Sequence, residues 1–352
     1  MNIRVAARVL TPDVARGGLL VLPSDFVPVD ADFLDAGEAA LCDLFLFRPP
    51  WSHVLFLAAR SLMTGALKKD LHTSRVRRLY IRAGDSDLFS EHILGSLDRI
   101  VEERKAPCAR KARVARQAVS FSLDRVFADP RAQTIGDLQR GVRTTTKLAM
   151  REPMAAIVLM RLTRLDTYTY NHSMNVGVFG TALALALGEH EAWTSSVIQG
   201  LFLHDIGKVR VPREVVNCPG KLSEEEWAQM RQHPDHGAAI LQSCGEVDPI
   251  LLNVVKQHHE RHTGSGYPAG LSGAAIAYEA TICAVADVFD ALTTERCYRH
   301  ALPTYAGLQT MVAEMRDDFA PEVLQAFVSL FQEHPPLLAK GGDTHRPRVA
   351  AG

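Results

Sequence analysis

His258 and His259 are adjacent, they end an apolar segment, and the loop Gly264-Ser265-Gly266-Tyr267-Pro268 follows shortly after. Neighbouring residues on a helix point about 100° apart, so both imidazoles cannot face an ordinary apolar core. A fold containing this stretch needs a place that uses two imidazoles from one turn, beside a tightly turned backbone. The same half of the chain holds other polar groups in apolar surroundings. His172 lies near the start of a helical pattern formed by Val176, Phe179 and Leu183. His204-Asp205 ends the apolar run in LFLHDIGK, His233 sits in RQHPDHG, and Asp287 interrupts ICAVADVF. A carboxylate in such a run is costly unless it is paired or bound to a metal.

Each of these residues has a plainer reading on its own. His172 could be a hydrogen-bonded core histidine, and His204-Asp205 a helix-terminal cap with an ion pair. His258 and His259 could be one buried and one exposed ring, and Asp287 could pair with an arginine. Together they are more donors than one ion needs. Imidazole nitrogens with a shared carboxylate suit Fe, Mn, Co, Ni or Zn. The set fits two ions sharing Asp205, about 3.5–4 Å apart as in two-metal hydrolases.

The rest of the sequence sets the frame. A length of 352 residues suggests two domains, and 47% hydrophobic with 22% charged residues is globular composition. The net charge of −1 argues against a nucleic-acid polymer or a membrane surface as partner. Cysteines 42, 108, 218, 244, 283 and 297 form no C-x-x-C pair, which fits a reducing, cytoplasmic setting. No signal-peptide pattern is read at the N-terminus, and no apolar run approaches the roughly 18 residues of a membrane span.

The expected fold class is α+β overall: an all-α C-terminal domain preceded by a small α/β domain. Residues 1–130 form the small domain with a helical connector. Strands are expected at 44–47, 54–58 and 78–82, with a break at Arg48-Pro49-Pro50-Trp51 and a helix near 68–76. Residues 87–128 read as helical, and their basic run ARKARVAR (109–116) as a solvated face. Residues 135–340 form the helical domain, with helices expected near 134–150, 153–165, 169–187, 192–206, 223–231, 235–244, 248–259, 275–291, 304–315 and 321–333. Gly188, Gly207 and Gly245 stand where helix C-caps are expected, and Ser223 with Glu226 reads as a capping box. Residues 341–352 are expected to be a disordered tail.

His204-Asp205 with Gly207-Lys208 resembles the HD superfamily of metal-dependent phosphohydrolases, and HHERHTGSGYP at 258–268 resembles the second signature of its HD-GYP subfamily. The similarity runs from His172 through ADVFDALTTERCYR at 286–299, within about residues 140–335. It implies a metal-dependent phosphodiesterase that hydrolyses cyclic di-GMP to pGpG and, in some members, on to GMP, by a metal-bridging hydroxide attacking phosphorus. It implies His172, His204, Asp205 and Asp287 at one metal, and Asp205 as bridge with His233, His258 and His259 at a second. His233 is preferred to His236 because the family pattern is HPxxG. The implied ions are two divalent transition metals, Fe or Mn first, with Ni, Co or Zn as alternatives.

Asp205 and Lys208 are the implied catalytic residues. Lys208, Gly264, Gly266, Tyr267, Arg296 and Arg299 are the implied substrate contacts; a surface ion pair is the other reading of the two arginines. Thr263 stands where the family usually has Asp or Asn, and Tyr168 where three-metal members carry a glutamate, so two metals are implied. The implied partners are cyclic di-GMP, a second copy of the chain and other signalling domains, with the N-terminal domain regulatory or dimerising. The alternative functions are a weakly catalytic cyclic di-GMP sensor or docking module, and an HD hydrolase of another phosphoester.

Overall fold

The computed structural model describes residues 25–48, 52–163, 171–188, 191–218, 220–295 and 300–333. The expected tail at 341–352, the turn at 49–51, Tyr168, Arg296 and Arg299 lie outside the described residues. The chain divides into two compact units, Met1–Leu148 with Asn217–Lys221, and Ala149–Val216 with Leu222–Gly352. This division falls later than the expected 130/135 boundary.

Among the described residues, the first unit is built on four strands, β1 (Phe26–Asp30), β2 (Leu44–Arg48), β3 (Ser52–Leu57) and β4 (Arg78–Arg82). They form one antiparallel sheet in the order β1-β4-β2-β3. The expected strands correspond to β2, β3 and β4. β1 was not expected, because Pro28 sits in its middle. Pro28 lacks an N–H and is tolerated because β1 is an edge strand. The expected helix near 68–76 is α1 (Gly65–Thr73).

Val29, Leu46, Leu79 and Ile81 lie in the core, and Leu44, Phe45 and Tyr80 are buried beside them. The helices α2 (Ser86–Glu102) and α3 (Cys108–Ala128) pack on each other, and α3 also packs on β1. The stretch 87–128, expected to be helical, holds two helices, and Pro107 caps the second. A proline is favoured at such a start because it has no N–H to leave unpaired.

The basic run of α3 is not a solvated face. Arg116 pairs with Asp30 at 2.6 Å, Arg113 with Asp35 at 3.2 Å, and the buried Lys111 donates to the Val101 carbonyl. The two arginine pairs fasten α3 to the end of β1 and the turn beyond it, and Lys111 fastens it to α2. The next helix, α4 (Ala132–Arg151), is tied to α2 by Arg140, which reaches Asp98 and Glu91.

The second unit is helical: α5 (Pro153–Thr163), α6 (Asn171–Ala186), α7 (Glu191–Leu203), α8 (Arg213–Val216), α9 (Glu224–Met230), α10 (His233–Ser243), α11 (Pro249–Gln257), α12 (Tyr278–Thr293), α13 (Thr304–Glu314) and α14 (Pro321–Glu333). α12 is buried nearly all round, as its continuous apolar sequence requires. α6 and α11 flank it, and α7 packs on both of these. Phe289 of α12 meets Phe179, Phe327 and Phe331 at centroid distances of 5.1 Å each. Burying a phenylalanine side chain contributes about 1.5–3 kcal/mol, so this cluster anchors α14 and α6 to α12. Ser223 and Glu226 form the expected capping box at the start of α9.

Candidate metal centre

The polar residues singled out in the sequence lie at helix ends and on the central helix. His172 is in the first turn of α6, and His204-Asp205 directly follows α7. His233 opens α10, His258-His259 follow α11, and Asp287 is in the buried α12. The fold brings all seven together. Asp205, His233, His258 and His259 form one group able to hold a metal ion, and His172, His204 and Asp287 form another.

Three of the rings are fixed in the same way. His204 Nδ1 donates to the Leu201 carbonyl at 2.8 Å, His233 Nδ1 to Met230 at 2.8 Å, and His258 Nδ1 to Val255 at 2.9 Å. A carbonyl can only accept, so each Nδ1 carries the proton and each Nε2 presents a lone pair. The lone pairs of His233 and His258 converge, with Nε2 atoms 3.1 Å apart, and His204 Nε2 is 3.4 Å from His172 Nε2.

Asp205 stands between the two groups. Its Oδ2 lies 3.4 Å from His204 Nε2 and 3.5 Å from His172 Nε2. Its Oδ1 lies 3.3 Å from His233 Nε2 and 3.9 Å from His258 Nε2. That Oδ1 is buried and has no hydrogen-bond partner. Asp287 also reaches both sides, with Oδ1 3.1 Å from His172 Nε2 and Oδ2 3.6 Å from His259 Nδ1.

The charges agree with this geometry. Burial pushes His233 down to about 4 and His259 down to about 3, and lowers His258 as well. These rings are neutral ligands near pH 7. Burial would raise Asp205, but Lys208 and the neighbouring imidazoles outweigh it and hold the carboxyl well below its ordinary value. Asp287 is held down in the same way, chiefly by His172. Burial would lower His172 too, yet its contacts with Asp287 and Asp290 carry it up to about 9. Facing lone pairs, an orphaned carboxylate oxygen and two buried carboxylates together ask for positive charge at the centre. The donor set fits divalent metal ions.

One residue next to the ligands was not singled out in the sequence. Asp290, almost fully buried, accepts from His172 Nδ1 at 2.7 Å and from Asn175 Nδ2 at 2.7 Å, with Thr294 Oγ1 also at 2.7 Å. It fixes the His172 ring so that Nε2 faces the cluster. The signal was present, since Asp290 lies one turn past Asp287 in the same apolar helix. Glu260 is a loop anchor, with Oε1 accepting from Ala269 N at 2.7 Å and Oε2 from Leu271 N at 3.0 Å.

The glycines work by close approach. Gly207 is not the expected helix C-cap; it lies in the 3-10 turn Ile206–Arg210. A Cβ there would fall 1.9 Å from the His233 carbonyl oxygen and 2.5 Å from Gly237 N. Its absence lets the turn that carries Asp205 and Lys208 press against α10. At Gly266 a Cβ would meet Arg261 N at 2.4 Å, so the loop folds back onto the end of the His258-His259 segment. Gly264 has a φ of +82°. Tyr267 N donates to the His259 carbonyl, and its ring centroid lies 4.6 Å from that of His259. Thr263 bonds the Ser265 hydroxyl and the Asp318 carboxylate through its own hydroxyl. Lys208 Nζ lies 2.5 Å from Asp205 Oδ2.

Residues 150–323 match the HD domain family, and the His/Asp groups of this segment are able to hold divalent metal. Among curated proteins, the chain is 38% identical over 186 residues to the cyclic di-GMP phosphodiesterase PA4108 of Pseudomonas aeruginosa, covering 53% of this chain and 45% of that protein. It is 34% identical over 171 residues to a cyclic di-GMP phosphodiesterase of Thermotoga maritima, covering 48% of this chain and 46% of that protein. It is 35% identical over 159 residues to the 3'3'-cGAMP-specific phosphodiesterase 3 of Vibrio cholerae, covering 45% of this chain and 34% of that protein. The chain thus spans less than half the length of these relatives. A solved structure, Bd1817, a HDG"Y"P protein from Bdellovibrio bacteriovorus, shares the fold with a TM-score of 0.69 at 19% identity, over 88% of this chain and 100% of that one. Among the described residues, no helix is long and apolar enough to cross a membrane.

Proposed function

We propose that the protein is a metal-dependent phosphodiesterase of the HD-GYP type, which hydrolyses cyclic di-GMP to pGpG, with GMP as the product if pGpG is cleaved in turn. The observation that carries this reading is the position of Asp205, whose two oxygens face two separate groups of imidazoles. In this reading His172, His204, Asp205 and Asp287 hold one divalent ion, and Asp205, His233, His258 and His259 hold the other, with Fe or Mn preferred. Bound ions would neutralise the phosphodiester's charge and acidify water near neutral pH.

The chain's own residues supply the rest. Hydrolysis adds water across one P–O3′ bond: oxygen joins phosphorus, and the ribose 3′ oxygen leaves with a proton. Lys208, beside Asp205, binds a non-bridging phosphate oxygen as a point charge. Gly264 and Gly266 shape the loop at the rim, and Tyr267 forms its wall next to His259. Arg296 and Arg299 are proposed as contacts to the other phosphate or to guanine. The relatives' names support a cyclic dinucleotide. The relative from Vibrio cholerae named for 3'3'-cGAMP favours one second reading, in which a mixed guanine–adenine dinucleotide is the substrate. A cytoplasmic location, a regulatory first unit and a homodimer belong to the same proposal.

The test is incubation of the anaerobically reconstituted Fe(II) or Mn(II) protein with cyclic di-GMP and with 3'3'-cGAMP, the products resolved by chromatography. Appearance of pGpG or GMP supports the reading. A metal-loaded protein that cleaves neither substrate contradicts it.

A further inference from the structure

Beside the metal cluster, a row of flat groups leads outward. Tyr267 lies against His259, and the Arg231 guanidinium stands 5.8 Å from the Tyr267 ring centroid. The same guanidinium is 5.6 Å from the ring centroid of Trp227. Both distances are within cation–π range. Trp227 and Arg231 are one turn apart at α9, whereas Tyr267 comes from the loop after α11, so two separate elements hold the guanidinium.

Two features set this row apart from a local staple. Arg231 is exposed and forms no ion pair with a carboxylate among the described residues. Trp227, with Arg231 beside it, is still 44% exposed. A large indole is thereby left open to solvent next to a cation whose donors have no carboxylate to bind. Nearby, Arg261 Nη1 is buried without a hydrogen-bond partner.

We infer that Trp227 and Arg231 form a base-binding subsite, in which a guanine of the dinucleotide stacks on the Trp227 indole and its O6/N7 edge accepts from Arg231. An aromatic face accepts any base, and an arginine fork selects the acceptor edge of guanine. Adenine presents an amino donor at the position of O6 and repels that fork. The subsite rests on the proposed cyclic dinucleotide activity and extends it to base selection.

The test uses the full chain loaded with Mn(II). It compares wild type with Trp227→Ala, Trp227→Phe and Arg231→Ala, with metal content measured for each. Two readouts are followed, KM and kcat for cyclic di-GMP, and quenching of tryptophan emission as dinucleotide is added. Loss of one stacked base should raise KM about 10-fold, with kcat changed far less, and Trp227→Phe should recover most of the loss. Quenching should be strong in wild type and largely absent from Trp227→Phe, although that variant still binds. Arg231→Ala should also narrow the preference for cyclic di-GMP over cyclic di-AMP.

Unchanged KM in both alanine variants overturns the subsite, as does a KM change that simply follows metal loss. Wild-type quenching without turnover removes the proposed activity and keeps the subsite. Turnover with no Trp227-dependent quenching does the reverse.

Discussion

His233 and His258 face each other through their Nε2 atoms at 3.1 Å, while the Nδ1 of each donates to a carbonyl of its own chain. With both protons committed to the backbone, two lone pairs point at one another inside a buried site. A cation between the rings turns this repulsion into ligation. Chelation should therefore destabilise the second, helical unit. At metal concentrations well above Kd, linkage gives about 3 kcal/mol, equivalent to about 5–10 °C in a unit of this size. Differential scanning calorimetry with and without chelator checks this, and an unchanged Tm would contradict it.

Gly207 makes a second, mechanical prediction. Because a Cβ would sit 1.9 Å from the His233 carbonyl oxygen, Gly207→Ala must push the turn away from α10. It should cost at least about 2 kcal/mol and weaken metal binding by shifting Asp205. Gly95→Ala in α2, where a Cβ meets nothing within 4 Å, should instead stabilise by about 0.5–1 kcal/mol. Urea denaturation curves of the two variants should move in opposite directions.

Asp290 orients His172 without reaching the other ligands. Asp290→Asn keeps the shape but replaces a pure acceptor with an amide, so the His172 proton can move to Nε2, the ligating atom. Metal affinity should fall about 10- to 100-fold with little change in the circular dichroism spectrum. Competition titration against a chromogenic chelator measures it, and wild-type affinity in the variant would remove the positioning role.

His172, His204, Asp205, His258 and Asp287 were legible because each contradicts its surroundings, as an imidazole or carboxylate in an apolar helical run, whereas His233 in RQHPDHG was legible only through the HPxxG pattern of the family the chain resembles. Asp290 makes the same contradiction, but sequence does not distinguish a ligand from the residue that holds a ligand. Gly207 was misread because a glycine after a helix has two uses, and only the packing of the 3-10 turn on α10 separates them. The helices of the second unit were legible from apolar periodicity and caps, as at Ser223 and Glu226. β1 was not, because Pro28 is allowed only by the edge position that the sheet order reveals. The basic run of α3 looked like a solvated face because its partners, Asp30 and Asp35, are distant in sequence.

The cysteines offer a test of the two cores. Burial, with help from Asp85 and Asp43, pushes the Cys42 thiol up to about 12, and burial pushes Cys283 well above its ordinary value. At pH 8 both stay protonated, and only the thiolate reacts. A brief iodoacetamide pulse followed by peptide mass spectrometry should label the half-buried Cys108, Cys218 and Cys244 and leave Cys42 and Cys283 unmodified until the protein is unfolded. Rapid labelling of either buried thiol in the native protein would contradict the packing described.

The most direct test of the account is a count of metal ions per chain, by elemental analysis after anaerobic reconstitution, in wild type and in Asp205→Ala. Asp205 is the carboxylate whose oxygens face both groups of imidazoles. Wild type should hold two ions per chain and Asp205→Ala fewer than one. An Asp205→Ala protein that still binds two ions would contradict the shared-carboxylate centre.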